Sequence, residues 1–400
     1  MKAVALRSLF LFPALLLSAA IGWRGVSSAS QPKSDVAVKV SRIPNGGIQP
    51  QAVADATGVI HLLYYSGDPA HGDLYYVKSS DDARSWTKPL RVNSEEGSAI
   101  ALGTIRGGQI ALGRNGRIYV VWNGSSLTEA QGPMNPESRK RGMPLLYTRL
   151  DDRRTEFEPE RNLMTHTFGL DGGATITADK AGSVYVAWHG KAPGATAGEA
   201  GRQVWVTKST DDGKTFSVEQ PATKDATGAC GCCGMALYSS SEGILYGLYR
   251  SATDNVHRDI YLLSSPDHGA HFFDRRLHPW TINACPMSSM DFAEGDGKVE
   301  AAWETGGQVY FQTVSDTSGR VISAPAPDKG HKHPRLSLAP NGETLLVWTE
   351  GTGWARGGSV AWQGYDRSGT PMLQKGVQSG LPAWSFAAPV LTPEGFIILY

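Results

Sequence analysis

No excess of either charge marks this chain: lysine and arginine together number 38, and aspartate and glutamate also number 38. Such a balance offers no basic field for nucleic acid or an anionic membrane. No segment carries the apolar spacing of an amphipathic helix. No glycine-rich loop opens a helix after a strand, so no nucleotide cofactor is indicated. Past the first thirty residues no apolar run is long enough to span a membrane. No linker or low-complexity tail divides the 400 residues, which therefore read as one domain. Cysteine is scarce, at four, yet all four crowd into the stretch from Cys230 to Cys285.

What is present begins with Met1, Lys2 and Arg7, an apolar run from Leu9 to Ala20, and small residues at Ser27-Ser28-Ala29. Residues 1–29 are expected to be a secretory signal peptide, with 30–400 as the working domain in the periplasm or outside the cell. Within that domain a hairpin pattern recurs: Asp or Asn, a glycine three residues on, alternating apolar residues, then Trp or Tyr. Its copies end at Tyr65, Trp122, Trp188, Tyr249, Trp303, Trp348 and Tyr400, spaced roughly 45 to 66 residues apart. A repeat of that length in short strands is the pattern of an all-β propeller with four-stranded antiparallel blades. Seven inner hairpins are counted, and either six or seven blades fit. The last hairpin ends the chain, so the segment from Asp35 to Val40 is expected to pair with it and close the ring. Forty-seven glycines and eleven tryptophans suit tight turns and packed blades.

Between the third and fourth strands lie Ser79 to Trp86, Ser209 to Phe216 and Ser265 to Phe272, each with Ser, Asp and an aromatic at fixed positions; Ala83 stands where the other two have glycine. These octets resemble the Asp box of the sialidase-like propellers. In a four-stranded blade the loops before strand one and after strand two share a face, which collects Arg42, Asp68, Arg106, His189, Arg250, Glu304, Arg335, Trp384 and the cysteines at one mouth. The resemblance implies three arginines clamping a sugar carboxylate, a geometry suited to bidentate guanidinium bonds. Arg42-Ile43-Pro44 matches the family's first arginine motif and Arg250 its second, while Arg335 and Arg106 compete for the third. Asp68 falls where the family places its acid. The family's tyrosine nucleophile and its glutamate partner have no match, since Trp384-Ser385 and Cys232-Cys233-Gly234 stand there. Glu304 is the remaining acid–base candidate by position.

Cys230, Cys232 and Cys233 precede one inner strand and Cys285, followed by Pro286-Met287, precedes the next. Two readings stay open: disulfides in an oxidising compartment, or a soft-metal site for copper with Met235, Met287, Met290 and His189 nearby. Structural zinc and a redox-active thiol pair are weaker readings. The expected function is a secreted propeller that binds, and by resemblance hydrolyses, an anionic glycan. The alternatives are a copper- or redox-linked periplasmic protein and a non-catalytic recognition scaffold. No cofactor is required by any motif, the expected partner is a glycan or another small anion, and the oligomeric state stays open.

Overall fold

The structure is a computed structural model that describes residues 36–223, 226–317, 319–326 and 330–400; the expected signal peptide lies outside them. The first blade shows how the local pattern becomes structure. Its strands are Ile48–Ala54, Ile60–Asp68, His71–Ser79 and Leu90–Arg91, paired antiparallel in that order. Asp55 makes the first turn by accepting the backbone N–H of Thr57 at 2.8 Å and of Val59 at 3.0 Å, while Gly58 takes the left-handed conformation (φ 85°). The second strand runs on to Asp68, three residues beyond Tyr65, so Asp68 ends a tight hairpin with His71.

Five further four-stranded sheets follow in sequence order. The seventh has three strands: Ala388–Thr392, Gly395–Leu399 and the N-terminal strand Val38–Ser41. The N-terminal strand lies parallel to Gly395–Leu399, pairing Val38 with Phe396 and Ser41 with Leu399. The molecule is therefore a seven-bladed β-propeller, and no α-helix occurs among the described residues.

The core is divided into seams. Seven apolar clusters each join one blade to the next, and one of them packs Val390, Ile397 and Leu399 of the last blade on Ile60, Leu62 and Tyr64 of the first. A small sheet has two faces to bury, and stacking each blade between two neighbours buries both. The aromatic ends of the first six inner hairpins, from Tyr65 to Trp348, are all at most 3% exposed. The first strands of all seven blades line a central channel of about 510 Å³.

The octets act at these seams. In the blade that holds Ser209 to Phe216, Ser209 Oγ bonds Asp211 at 2.8 Å and accepts the Gly213 N–H at 2.9 Å, and Asp211 accepts the Thr215 N–H at 2.9 Å. Ser79 to Ser85 and Ser265 to His271 repeat the same bonds. Each turn then packs on the preceding blade: Phe216 meets Tyr147 edge-on at 4.8 Å.

Candidate functional site

The mouth is built from the loops that enter the first strands. Five of these loops, or the first residues of the strands they enter, place a non-glycine residue in the left-handed region: Gln49, Thr104, Met287, His333 and Trp384, with φ between 50° and 68°. Backbone in that region costs about 1–3 kcal/mol per residue and persists where the surroundings enforce it, commonly at functional sites. Bulges accompany two of them, between Ile48 and Gln51 and between Lys332 and Arg335, a device that re-aims side chains. Four of the five, Thr104, Met287, His333 and Trp384, line one cleft together with Lys332, Trp354, Arg356 and Ser385. Trp354 and Trp384 meet edge to face with centroids 4.6 Å apart, and Trp354 remains 59% exposed. Gln49, buried behind them, donates to the carbonyls of Trp384 at 2.8 Å and Ala101 at 2.7 Å, which holds two of the loops in register.

The cysteine loop lies beside this cleft. The Cys230 N–H donates to the Arg250 carbonyl at 2.9 Å, the Cys233 N–H to the Cys230 carbonyl at 3.3 Å, and the Gly234 N–H to the Ser288 carbonyl at 2.9 Å. That tight turn brings Cys230 Sγ to 3.3 Å from Cys232 Sγ and 3.4 Å from Cys233 Sγ. All three thiols are buried, no disulfide joins them, and Cys285 is an exposed free thiol. The Gly234–Ser288 bond docks the loop carrying Cys285, Pro286 and Met287 onto the turn. Cys285 Sγ and a Glu199 carboxylate oxygen lie within 4.8 Å of Cys232 Sγ, and Met287 packs on the three buried cysteines. Below the turn, Gly172 leaves no room for a side chain: a Cβ there would sit 2.4 Å from the Gly231 carbonyl oxygen and 2.5 Å from His189 Cε1.

Electrostatics differ across this cluster. Burial opposes ionisation of Cys233, but bonds from Cys230 and Cys232 and the charge of Arg250 outweigh it, so its thiol is held well below the usual range. Cys230 is pushed up by donating to its two neighbours, and Cys232 is raised as well. His189 is 1% exposed, shares a 2.9 Å hydrogen bond between Nε2 and the Cys233 carbonyl, and its Nδ1 finds no hydrogen-bond partner among the described residues. Burial holds it neutral, which makes Nε2 the donor and Nδ1 a bare acceptor.

The arginines are distributed rather than gathered. Arg250 is 2% exposed, donates to the Arg258 carbonyl at 2.9 Å, lies 3.4 Å from a Glu304 carboxylate oxygen and stacks under Trp280 at 5.0 Å. Arg106 is paired with Asp171 at 2.5 Å. Arg335 lies 3.5 Å from Asp291, covers the Phe386 ring at 4.6 Å and lines the channel. Arg42 is exposed, covers Tyr400 at 4.7 Å and donates to the Gly380 carbonyl at 3.2 Å. Glu304 is 2% exposed, accepts the Gly307 N–H at 2.6 Å and is pushed up by burial. Asp68 is exposed at its hairpin, 4.0 Å from His71. Of the residues singled out in the sequence, Met287 and Trp384 line the cleft, and the four cysteines with His189 form the neighbouring cluster. Trp354 and Arg356 were not singled out; an exposed tryptophan in a glycine-flanked loop is the signal that marks the first of them.

No protein-family model and no curated protein sequence matches the chain. Solved structures do. A protein of unknown function from Dyadobacter fermentans is 14% identical, with 86% of this chain and 97% of that one covered and a TM-score of 0.52. An α-L-arabinanase from Penicillium chrysogenum, in complex with arabinobiose, is 13% identical over 85% of this chain and 97% of its own, with a TM-score of 0.52. The NanB sialidase from Streptococcus pneumoniae is 11% identical, covering 88% and 70%, with a TM-score of 0.51. At such identities the likeness is one of fold: the chain is a β-propeller similar in fold to these sialidase and arabinanase structures.

Proposed function

We propose that the mouth binds a carbohydrate, with Trp354 and Trp384 as the stacking faces and Arg356 as the charge that selects an anionic sugar. The observation that carries this reading is the convergence of left-handed residues from four separate blades on one cleft, where the exposed Trp354 meets Trp384. Strain collected at one place, beside aromatic surface left open to solvent, is what a rigid binding site requires. The glycoside hydrolases among the structural neighbours favour a sugar as ligand. Standard sialidase hydrolysis is not part of the proposal. Trp384 has no nucleophilic atom where the family has tyrosine, and neither Glu304 nor Asp68 lines the cleft.

Calorimetric titration of the full chain with sialosides, uronides and arabino-oligosaccharides tests this. Trp384→Ala and Trp354→Ala are each expected to weaken the best ligand by roughly tenfold, about 1.4 kcal/mol, with the melting temperature of Trp354→Ala unchanged. Unaltered affinity in both variants, or no binding of any of these sugars by the parent protein, would sink the proposal.

A further inference from the structure

The cysteine turn is a cluster that glycan recognition does not use. Cys230 Sγ stands 3.3 Å from Cys232 Sγ and 3.4 Å from Cys233 Sγ, and the three sulfurs lie within 4.8 Å of one another, which is contact rather than covalent distance. A fourth thiol, Cys285, and the thioether of Met287 arrive from the neighbouring blade on a loop held by the Gly234–Ser288 bond and by Lys332, whose ammonium donates to the Pro286 carbonyl at 2.5 Å. Two buried cations act on the sulfurs, Arg250 on Cys233 and Arg258 on Cys230 and Cys232, and His189 Nε2 meets the Cys233 carbonyl. Nothing in packing alone calls for three thiols in one turn, because a buried thiol serves only as a small apolar group.

We propose that Cys230, Cys232 and Cys233 bind one cuprous ion, with Met287 as a weak outer ligand and Cys285 as the exposed thiol through which the ion enters. Sulfur-only, three-coordinate surroundings select a soft monovalent ion over zinc, which favours four ligands and accepts imidazole or carboxylate. Binding exchanges thiol protons for the metal and releases them to solvent, with no change of oxidation state. A cation also removes the cost of leaving thiolates buried without a partner. The second trio, Cys285, Cys232 and Glu199, shares Cys232 with the first. An ion captured at the surface by Cys285 therefore reaches the buried set by exchange at Cys232. Met287 lines the sugar cleft as well as the cluster, so the metal would sit against the floor of that cleft.

The test is a titration of the reduced full chain with Cu(I) held by bathocuproine disulfonate, followed by X-ray absorption and native mass spectrometry. One copper per chain with a sulfur-only shell is expected. Cys233→Ser should lose the ion, Met287→Leu should weaken it by roughly tenfold, and Cys285→Ser should keep the stoichiometry but slow its uptake. Far-UV melting checks that each variant folds; should Cys233→Ser unfold, Met287→Leu, which conserves volume, decides. The proposal fails if the reduced protein retains no copper while its thiols titrate free. It fails equally if zinc at the same concentration displaces copper, or if two of the buried sulfurs prove to be a disulfide that reductant opens only on unfolding. Sugar binding is measured separately, so either proposal can fail without the other.

Discussion

Arg250 stands where the sialidase resemblance places a carboxylate clamp, yet its guanidinium is enclosed by Glu304, the Arg258 carbonyl and the Trp280 ring. A charge buried to that degree answers first to its own partner. Arg250→Ala leaves the Glu304 carboxylate buried and unpaired, an outcome that costs about 3–5 kcal/mol. The melting temperature is expected to fall accordingly, and the double variant Arg250→Met, Glu304→Gln is expected to recover most of the loss, since it removes both charges together. An Arg250→Ala protein that melts like the parent but loses its ligand would instead restore the clamp. The position of Arg250 was legible in the sequence; its partner was not, because Glu304 comes from the next blade, 54 residues on. Arg106 and Asp171 repeat the lesson, as an ion pair across blades that no local pattern announces.

At the scale of the element, the octets show why one motif tolerates different residues. Gly213 has φ 77°, and a Cβ there would lie 2.0 Å from Tyr147 Oη and 2.9 Å from the Tyr119 ring. Its counterpart Ala83 has φ 58° and packs with Val390, Ile397 and Leu399, where a methyl group fits. Gly213→Ala is expected to destabilise by about 3 kcal/mol, from left-handed strain, overlap and loss of the 3.0 Å bond that Tyr147 Oη donates to the Gly213 carbonyl. Ala83→Gly should stay within about 1 kcal/mol, because relief of strain offsets the lost methyl contact. Chemical denaturation of the two variants checks both, and equal losses would show that the motif, not the facing blade, governs the site. The sequence marked these turns plainly through Ser, Asp and the aromatic. It could not say what each turn would face.

For the whole molecule the decisive element is the closing blade. Val38–Ser41 pairs with Phe396–Leu399, the Ile43 N–H donates to the Tyr400 carbonyl at 3.0 Å, and the Tyr400 N–H donates to the Ser41 carbonyl at 3.1 Å. A chain shortened to begin at Arg42 loses this strand and exposes the edge of Gly395–Leu399. Earlier melting and concentration-dependent association are expected, since an unpaired edge recruits other strands. Light scattering and thermal melts read both effects. A truncated chain that melts unchanged as a monomer would mean that the seam between last and first blades closes the ring alone.

The repeat spacing, the aromatic hairpin ends and the turn chemistry were enough to determine a propeller of seven inner hairpins, because each blade is specified by residues close together in the chain. They also placed the cysteines of two adjacent blades near each other, since equivalent loops of neighbouring repeats must be neighbours in space. Only the tertiary structure decided that Trp354 would meet Trp384, that Arg106, Arg250 and Arg335 would pair with acids of neighbouring blades, and that the N-terminal strand would lie parallel to the last. Those outcomes depend on which side chains face each other across a seam or over the mouth. That pairing is set by the radial stacking of whole blades and by where each loop is strained, neither of which any single repeat encodes.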